Sequence, residues 1–199
     1  SQADADTAPW DARPRSWVAP GMQAWFLQRD RQDPAGYAET WLQDSSLELD
    51  PPAYEAAYRG YLDDFAARGV AGVGFGHVWL RRPAADGSQG RAWVVAEELT
   101  QPVDEALGTA WAAAVARRDR LAAGAGAGDA VGDPALAALR GLHLRVAADV
   151  TEERHQRFGA EHPEVILARQ GSGFRRVARL DTATAGVLSA SDGELSVGP

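Results

Sequence analysis

Apolar residues recur along this chain with two periods, and the changes between them mark out the elements. Residues 22–28 (MQAWFLQ) are a short apolar run with two aromatics and predict a buried strand. Asp33-Pro34 then opens a helix: Asp33 can accept from the free backbone N–H groups, and Pro34 suits a first turn that needs no donor. That helix carries Tyr37, Trp41 and Leu42 on one face. Asp50-Pro51 repeats the start signal, and Tyr54, Tyr58, Tyr61, Leu62 and Phe65 follow at spacings of three and four, an amphipathic stripe. Gly69 stands where a left-handed cap should end the helix. Residues 70–82 (VAGVGFGHVWLRR) predict a long strand, and 91–99 (RAWVVAEEL) a strand paired with it across the turn-rich 83–90. An Ala-rich helix is expected over 106–121.

Residues 122–133 (AAGAGAGDAVGD) are low in complexity and predict a flexible linker. The expected organisation is therefore one region over 1–121, the linker, and a small module over 134–199. In that module the pattern predicts a helix at 134–140, a strand at 142–147 and a turn of helix near 151–157. Strands at 165–169 and 174–180 should form a hairpin through Gly171-Ser172-Gly173, followed by a helix at 182–191. Residues 191–198 read as the lead-in to a further helix that Ser196 would cap.

Composition narrows the function classes. Over 199 residues, 45% are hydrophobic and 24% charged, as in ordinary globular proteins. No apolar run approaches the ~18 residues of a membrane span, and the polar, acidic first eight residues do not resemble a signal peptide. A cytoplasmic protein without a membrane partner is expected. The chain has no cysteine, which excludes disulfides, thiolate metal sites and cysteine nucleophiles. All 20 basic residues are arginine, a bias that fits a GC-rich genome. The net charge is −8, which disfavours sequence-independent nucleic-acid binding by the chain as a whole. Residues 1–134 hold 12 Arg against 20 acids, while 135–199 hold 8 against 8.

Several groupings suggest chemistry and fail on context. Gly72, Gly74 and Gly76 (GVGFG) would need a strand before them and a helix after them to cradle a nucleotide. A helix precedes and strand-like residues follow, so close backbone packing within a strand is the better reading. Asp50-Pro51-Pro52 resembles the D/N-P-P-aromatic motif of amino-methyltransferases, but Ala53 occupies the aromatic position and Asp50 already serves as a cap. Glu152, Glu153, His155, Glu161 and His162 are candidate metal ligands, but Gly159 and Pro163 prevent a regular helix from aligning the histidines. His77 reads as a packed core histidine, and no Ser-His-Asp arrangement is defensible.

Four segments carry a resemblance: residues 28–42, with QRD, DPA and WL; the glycine-rich 69–82; ERH at 153–155; and DTATAGVLSASDGELSVG at 181–198. Together they resemble the C-terminal region of a bacterial S-adenosylmethionine (SAM)-dependent class I methyltransferase family, related to HemK-like and small-domain methyltransferases. The resemblance runs from Trp17 to Gly198. It implies an α/β protein (α+β when taken as a fragment), in which 22–28 and 70–82 are the last strands of a doubly wound sheet. A mixed, winged-helix-like module would follow. SAM would be bound in the intact enzyme by a missing N-terminal catalytic half and not by this chain, which would be inactive alone. The methyl acceptor would be an amide or amino nitrogen of a protein or nucleic acid such as RNA.

The alternative is a free-standing interaction or nucleic-acid-binding module without catalytic activity. No catalytic, cofactor or metal residue is expected in the chain itself. The candidate substrate-guiding residues are Arg175 and Arg179, which strand alternation would place on one face of the hairpin, with Arg176 on the other. Pairing of these arginines and Arg169 with Glu161, Glu164 and Asp181 on a solvated surface is the competing reading.

Overall fold

The structure is a computed structural model that describes residues 9–45, 49–84, 91–104, 106–125 and 140–198. The chain divides into two compact units, Ser1–Arg82 with Ala92–Thr100, and Pro83–Arg91 with Gln101–Pro199. The Ala-rich helix thus belongs to the second unit, whereas the sequence pattern grouped it with the first. Most of the expected 122–133 linker and of the expected 134–140 helix lies outside the described residues.

The first unit begins with a short helix α1 (Ala12–Ser16) and the strand β1 (Gln23–Gln32), followed by helices α2 (Pro34–Asp44) and α3 (Pro51–Ala67). Strands β2 (Val73–Arg81) and β3 (Trp93–Glu98) complete a sheet of order β2-β1-β3. Both helix starts follow the sequence signal: the Asp33 carboxylate accepts from the Gly36 N–H at 2.7 Å and Asp50 from the Ala53 N–H at 3.2 Å. Gly69 ends α3 with φ +61°, a left-handed conformation that glycine adopts without a steric penalty.

β1 and β2 are antiparallel neighbours, with Trp25 opposite Trp79 and a bulge between Gln28 and Asp30. The expected pairing of 91–99 with β2 is corrected: β3 lies on the other side of β1 and runs parallel to it. The reason lies in β1, whose residues Gln23–Gln28 are all buried. A strand apolar on both faces is best satisfied at the centre of a sheet, with a strand on each side. Three tryptophans consolidate that arrangement. Trp93 stacks on Trp79 with ring centres 5.4 Å apart, and meets Trp25 edge-on at 6.1 Å. Helices α2 and α3 join the sheet through Tyr37, which stacks on Phe75 at 6.0 Å and meets the buried Phe65 edge-on at 5.5 Å.

The second unit contains helix α4 (Leu107–Ala125), strands β4 (His143–Arg145), β5 (Val150–His155), β6 (Val165–Gln170) and β7 (Val177–Leu180), helix α5 (Thr182–Ala190) and strand β8 (Asp192–Ser196). β5-β6-β7 form an antiparallel sheet, and β4 pairs with β8. The hairpin β6–β7 and helix α5 follow the sequence pattern, with Asp181 capping α5 through the Thr184 N–H at 2.6 Å.

Two expectations for this unit are corrected. Residues 151–155 are strand, not helix: β5 lies at the sheet edge, where charged side chains are tolerated, and Glu153 reaches diagonally across to Arg169. Residues 192–196 are likewise strand, because β4 supplies a pairing edge. The core of this unit includes Phe174, 1% exposed, which meets Trp111 edge-on at 5.8 Å, and the buried Ile166 and Ala185. Both units mix helices with sheet, which makes the described protein α+β in content.

Candidate functional site

One candidate site for a ligand lies within the first unit. A cleft of about 540 Å³ opens among α1, β1, β2 and the ends of α2 and α3. Its size falls in the range typical of small-molecule sites. Pro9 and Pro14 bracket the start of α1; Arg13 of this short helix, and Trp10 and Trp17 on either side of it, line the cleft. Trp17 meets Phe26 of β1 edge-on at 6.4 Å, yet remains 64% exposed. Arg15 anchors this helix by an ion pair with Asp11 at 2.6 Å and a hydrogen bond to the Val94 carbonyl at 3.3 Å. Tyr37, Phe65 and Phe75 contribute further aromatic lining.

The glycines of β2 form part of the lining and show why they are glycine. A Cβ on Gly76 would lie 1.9 Å from the Leu27 carbonyl oxygen, and one on Gly74 would lie 2.6 Å from the Gln28 amide oxygen. A Cβ on Gly72 would meet the Arg31 guanidinium at 2.6 Å. The tract therefore allows close approach between neighbouring strands, as its sequence context suggested. It does not open a helix, so its N–H groups are not presented as a phosphate cradle.

Charge in the cleft departs from that of the chain. Among the described residues that line it there is no Asp or Glu, although the chain has 28 acids against 20 basic residues. Arg13, Arg68 and His77 all line it. Arg68 pairs with Asp64 and sits 5.7 Å from the centre of the Phe65 ring. Arg13 is exposed and pairs with no acid among the described residues. His77, expected in the core, is exposed on β2. Its neighbours Phe75 and Trp79 take half-buried positions on the strand.

The candidate arginines of the hairpin have different surroundings from those expected. β7 begins at Val177, so Arg175 and Arg176 precede the strand and its alternation does not govern them. Arg175 has φ +48°, a left-handed conformation for a non-glycine residue. The Asp104 carboxylate holds it there: one oxygen accepts from Arg175 Nε at 3.0 Å, and the other accepts from the Gly173 N–H. Asp104 also donates its own N–H to the Gly173 carbonyl at 3.2 Å. Arg176 lies over the Phe174 ring at 4.3 Å, and Arg179 donates to the Glu164 carbonyl at 3.4 Å. Arg169 pairs with Glu153 at 2.6 Å, and that contact holds the Glu153 carboxyl below the ordinary carboxylate range. The arginines are thus engaged by Asp104, Glu153 and the Glu164 backbone, rather than by the side chains of Glu161, Glu164 and Asp181.

Glu152 pairs with Arg154 and Glu164 with Arg157, which occupies carboxylates near the proposed metal cluster. Among the described residues no group of three or more His, Cys, Asp or Glu could hold a metal ion. No described helix is long and apolar enough to cross a membrane. Sequence reasoning missed the cleft because its contributors come from distant segments: Arg13 and Trp17 near the start of the described chain, Arg68 at the end of α3 and the glycines of β2. The one local signal was Trp10 and Trp17 flanking two arginines in a proline-rich stretch.

Comparison with known proteins adds no relative: no family model matches the chain, and no curated protein or solved structure does.

Proposed function

We propose that this chain is the C-terminal part of a SAM-dependent methyltransferase that acts on an amide or amino nitrogen of a protein or nucleic acid. The observation that carries the reading is the antiparallel pairing of β1 with β2, with α2 and α3 between them in the chain. The sequence resemblance implied that pair as the end of a doubly wound sheet. The parallel β1–β3 pair beside it is compatible with such a sheet, because an antiparallel strand is common at the edge of an otherwise parallel one.

The residues present do not fit SAM. The glycine tract is embedded in a strand, and the described residues lining the cleft include no carboxylate for the ribose hydroxyls that a dinucleotide-type site engages. The cofactor in this reading is held by a catalytic half supplied from elsewhere, and no step of the reaction is assigned to these residues. Calorimetry of the purified chain with SAM tests the first part, with no stoichiometric binding expected. Micromolar binding would overturn it. Sequencing the gene upstream of Ser1 tests the second. A Gly-x-Gly loop after a strand and an Asn-Pro-Pro-aromatic motif in frame are expected, and their absence would remove the methyltransferase reading.

A further inference from the structure

We propose that the cleft between α1 and β2 binds a nucleotide unit, a planar base carrying a phosphate, independently of whether the chain belongs to a methyltransferase. Two observations converge on that chemistry. The first is the aromatic lining, in which Trp10 and Trp17 stand on one side and Phe26, Tyr37 and Phe75 contribute from the sheet and α2. Trp17 is held edge-on against Phe26 but is 64% exposed, so it is anchored and still available for stacking. Base–aromatic stacking is tolerant of base identity because every base presents a π face.

The second observation is the sign of the charge. Acids outnumber bases along the chain, yet the described lining has none and carries Arg13, Arg68 and His77. A cleft lined by one sign of charge with apolar walls concentrates ligands of the opposite sign. Arg68 is already paired with Asp64, so Arg13, exposed and without an acidic partner among the described residues, is assigned the phosphate. A guanidinium suits this role because its fork of donors matches phosphate oxygens. The same charge disfavours SAM, whose sulfonium is cationic.

A nucleotide unit can come from a free nucleotide or from a single strand of nucleic acid, and titration of the full chain distinguishes them. The probes are adenosine 5′-monophosphate, adenosine and a single-stranded tetraribonucleotide, followed by tryptophan fluorescence and calorimetry. Adenosine monophosphate should bind at least tenfold more tightly than adenosine. Arg13→Ala should abolish that preference while leaving the melting temperature unchanged, because the side chain is exposed. Trp17→Phe should retain most of the affinity and Trp17→Ala should lose tenfold or more for both ligands. Tighter binding of the tetranucleotide than of the mononucleotide identifies a strand as the source, and the reverse order identifies the free nucleotide. Absence of binding by all three probes at millimolar concentration, or an unchanged phosphate preference in Arg13→Ala, would overturn the proposal. Neither result bears on the strand pairing behind the methyltransferase reading.

Discussion

The two units solve the same problem with different contacts. In the first, β1 is buried along six consecutive residues and the helices add Ala38, Leu42 and Phe65 to an apolar interior. Among the described residues of this unit, the ion pairs Arg15 with Asp11, Arg59 with Glu55 and Arg68 with Asp64 join residues four apart in the sequence. In the second unit the edge strands β5 and β7 are largely exposed. There, beside the local pairs Arg154 with Glu152 and Arg157 with Glu164, two ion pairs tie together segments distant in sequence: Asp104 reaches Arg175, and Glu153 reaches Arg169. Local ion pairs on a helix surface add a few tenths of a kcal/mol. Pairs that fix a turn or align two strands act on tertiary structure. Apolar burial centres on β1 in the first unit, where Gln23 with Arg81 and Gln28 with Glu98 add neutral–charged hydrogen bonds between strands; in the second, long-range ion pairs surround a smaller centre at Phe174.

The largest test compares those centres. Phe65→Ala in the first unit and Phe174→Ala in the second should each cost about 3–5 kcal/mol, since both rings are buried against other aromatics. Chemical denaturation would measure both. A Phe65→Ala protein with an unchanged midpoint would show that the tyrosine stripe of α3 is not a packing face. Loss of the Trp111 near-ultraviolet signal in Phe174→Ala is expected at the same time, because Trp111 is the one tryptophan beyond residue 100.

The next test addresses the clamps. Asp104→Ala removes the acceptor from the Gly173 N–H and frees Arg175, which its left-handed backbone otherwise holds under strain. The expected cost is roughly 1.5–3 kcal/mol, the range for hydrogen bonds to charged groups. Asp64→Ala in α3 removes only a local pair and should cost about 0.3–0.5 kcal/mol. Equal effects would erase the distinction between the units. In Asp104→Ala, Arg175→Gly should recover part of the loss, because glycine adopts a positive φ without penalty.

What could be read from the chain beforehand follows the same division. β1, α2, α3 and β2 were legible because burial imposes a period, and because Asp33, Asp50 and Gly69 perform local tasks at helix ends. The partner of β3 was not legible. A turn-rich connection suggested a hairpin, but the demand of β1 for neighbours on both sides decided the pairing. β5 escaped for a different reason: Thr151-Glu152-Glu153-Arg154-His155 has no apolar alternation, and its strand state depends on Arg169 across the sheet. The sequence places the arginines of the hairpin near one another, but Asp104, the partner of Arg175, lies 71 residues away from it. The candidate cleft was hidden for the same reason, since no window of sequence contains both Trp17 and Arg68.

The smallest effect expected is a dependence on pH that belongs to the second unit's clamps. Asp149 is held below the ordinary carboxylate range by the hydroxyl of Ser172, Glu153 by Arg169, and Asp181 by the backbone N–H of Thr184. A carboxyl whose folded pKa is depressed contributes stability that is present above its unfolded value and is lost as pH falls through the folded one. These contributions should therefore be complete at neutral pH and fade from about pH 4 downward. All three groups are solvent-accessible, so the effect is modest and is best read as a difference. Ser172→Ala removes the main cause at Asp149, and its stability gap from the parent should be widest near pH 7 and should narrow below about pH 4. A gap that stays constant from pH 7 to pH 3 would mean that Ser172 supports the turn by shape alone. The ion pair of Glu153 gives an independent reading: Arg169→Gln should shift stability most at neutral pH and less in acid, with added salt reducing the difference.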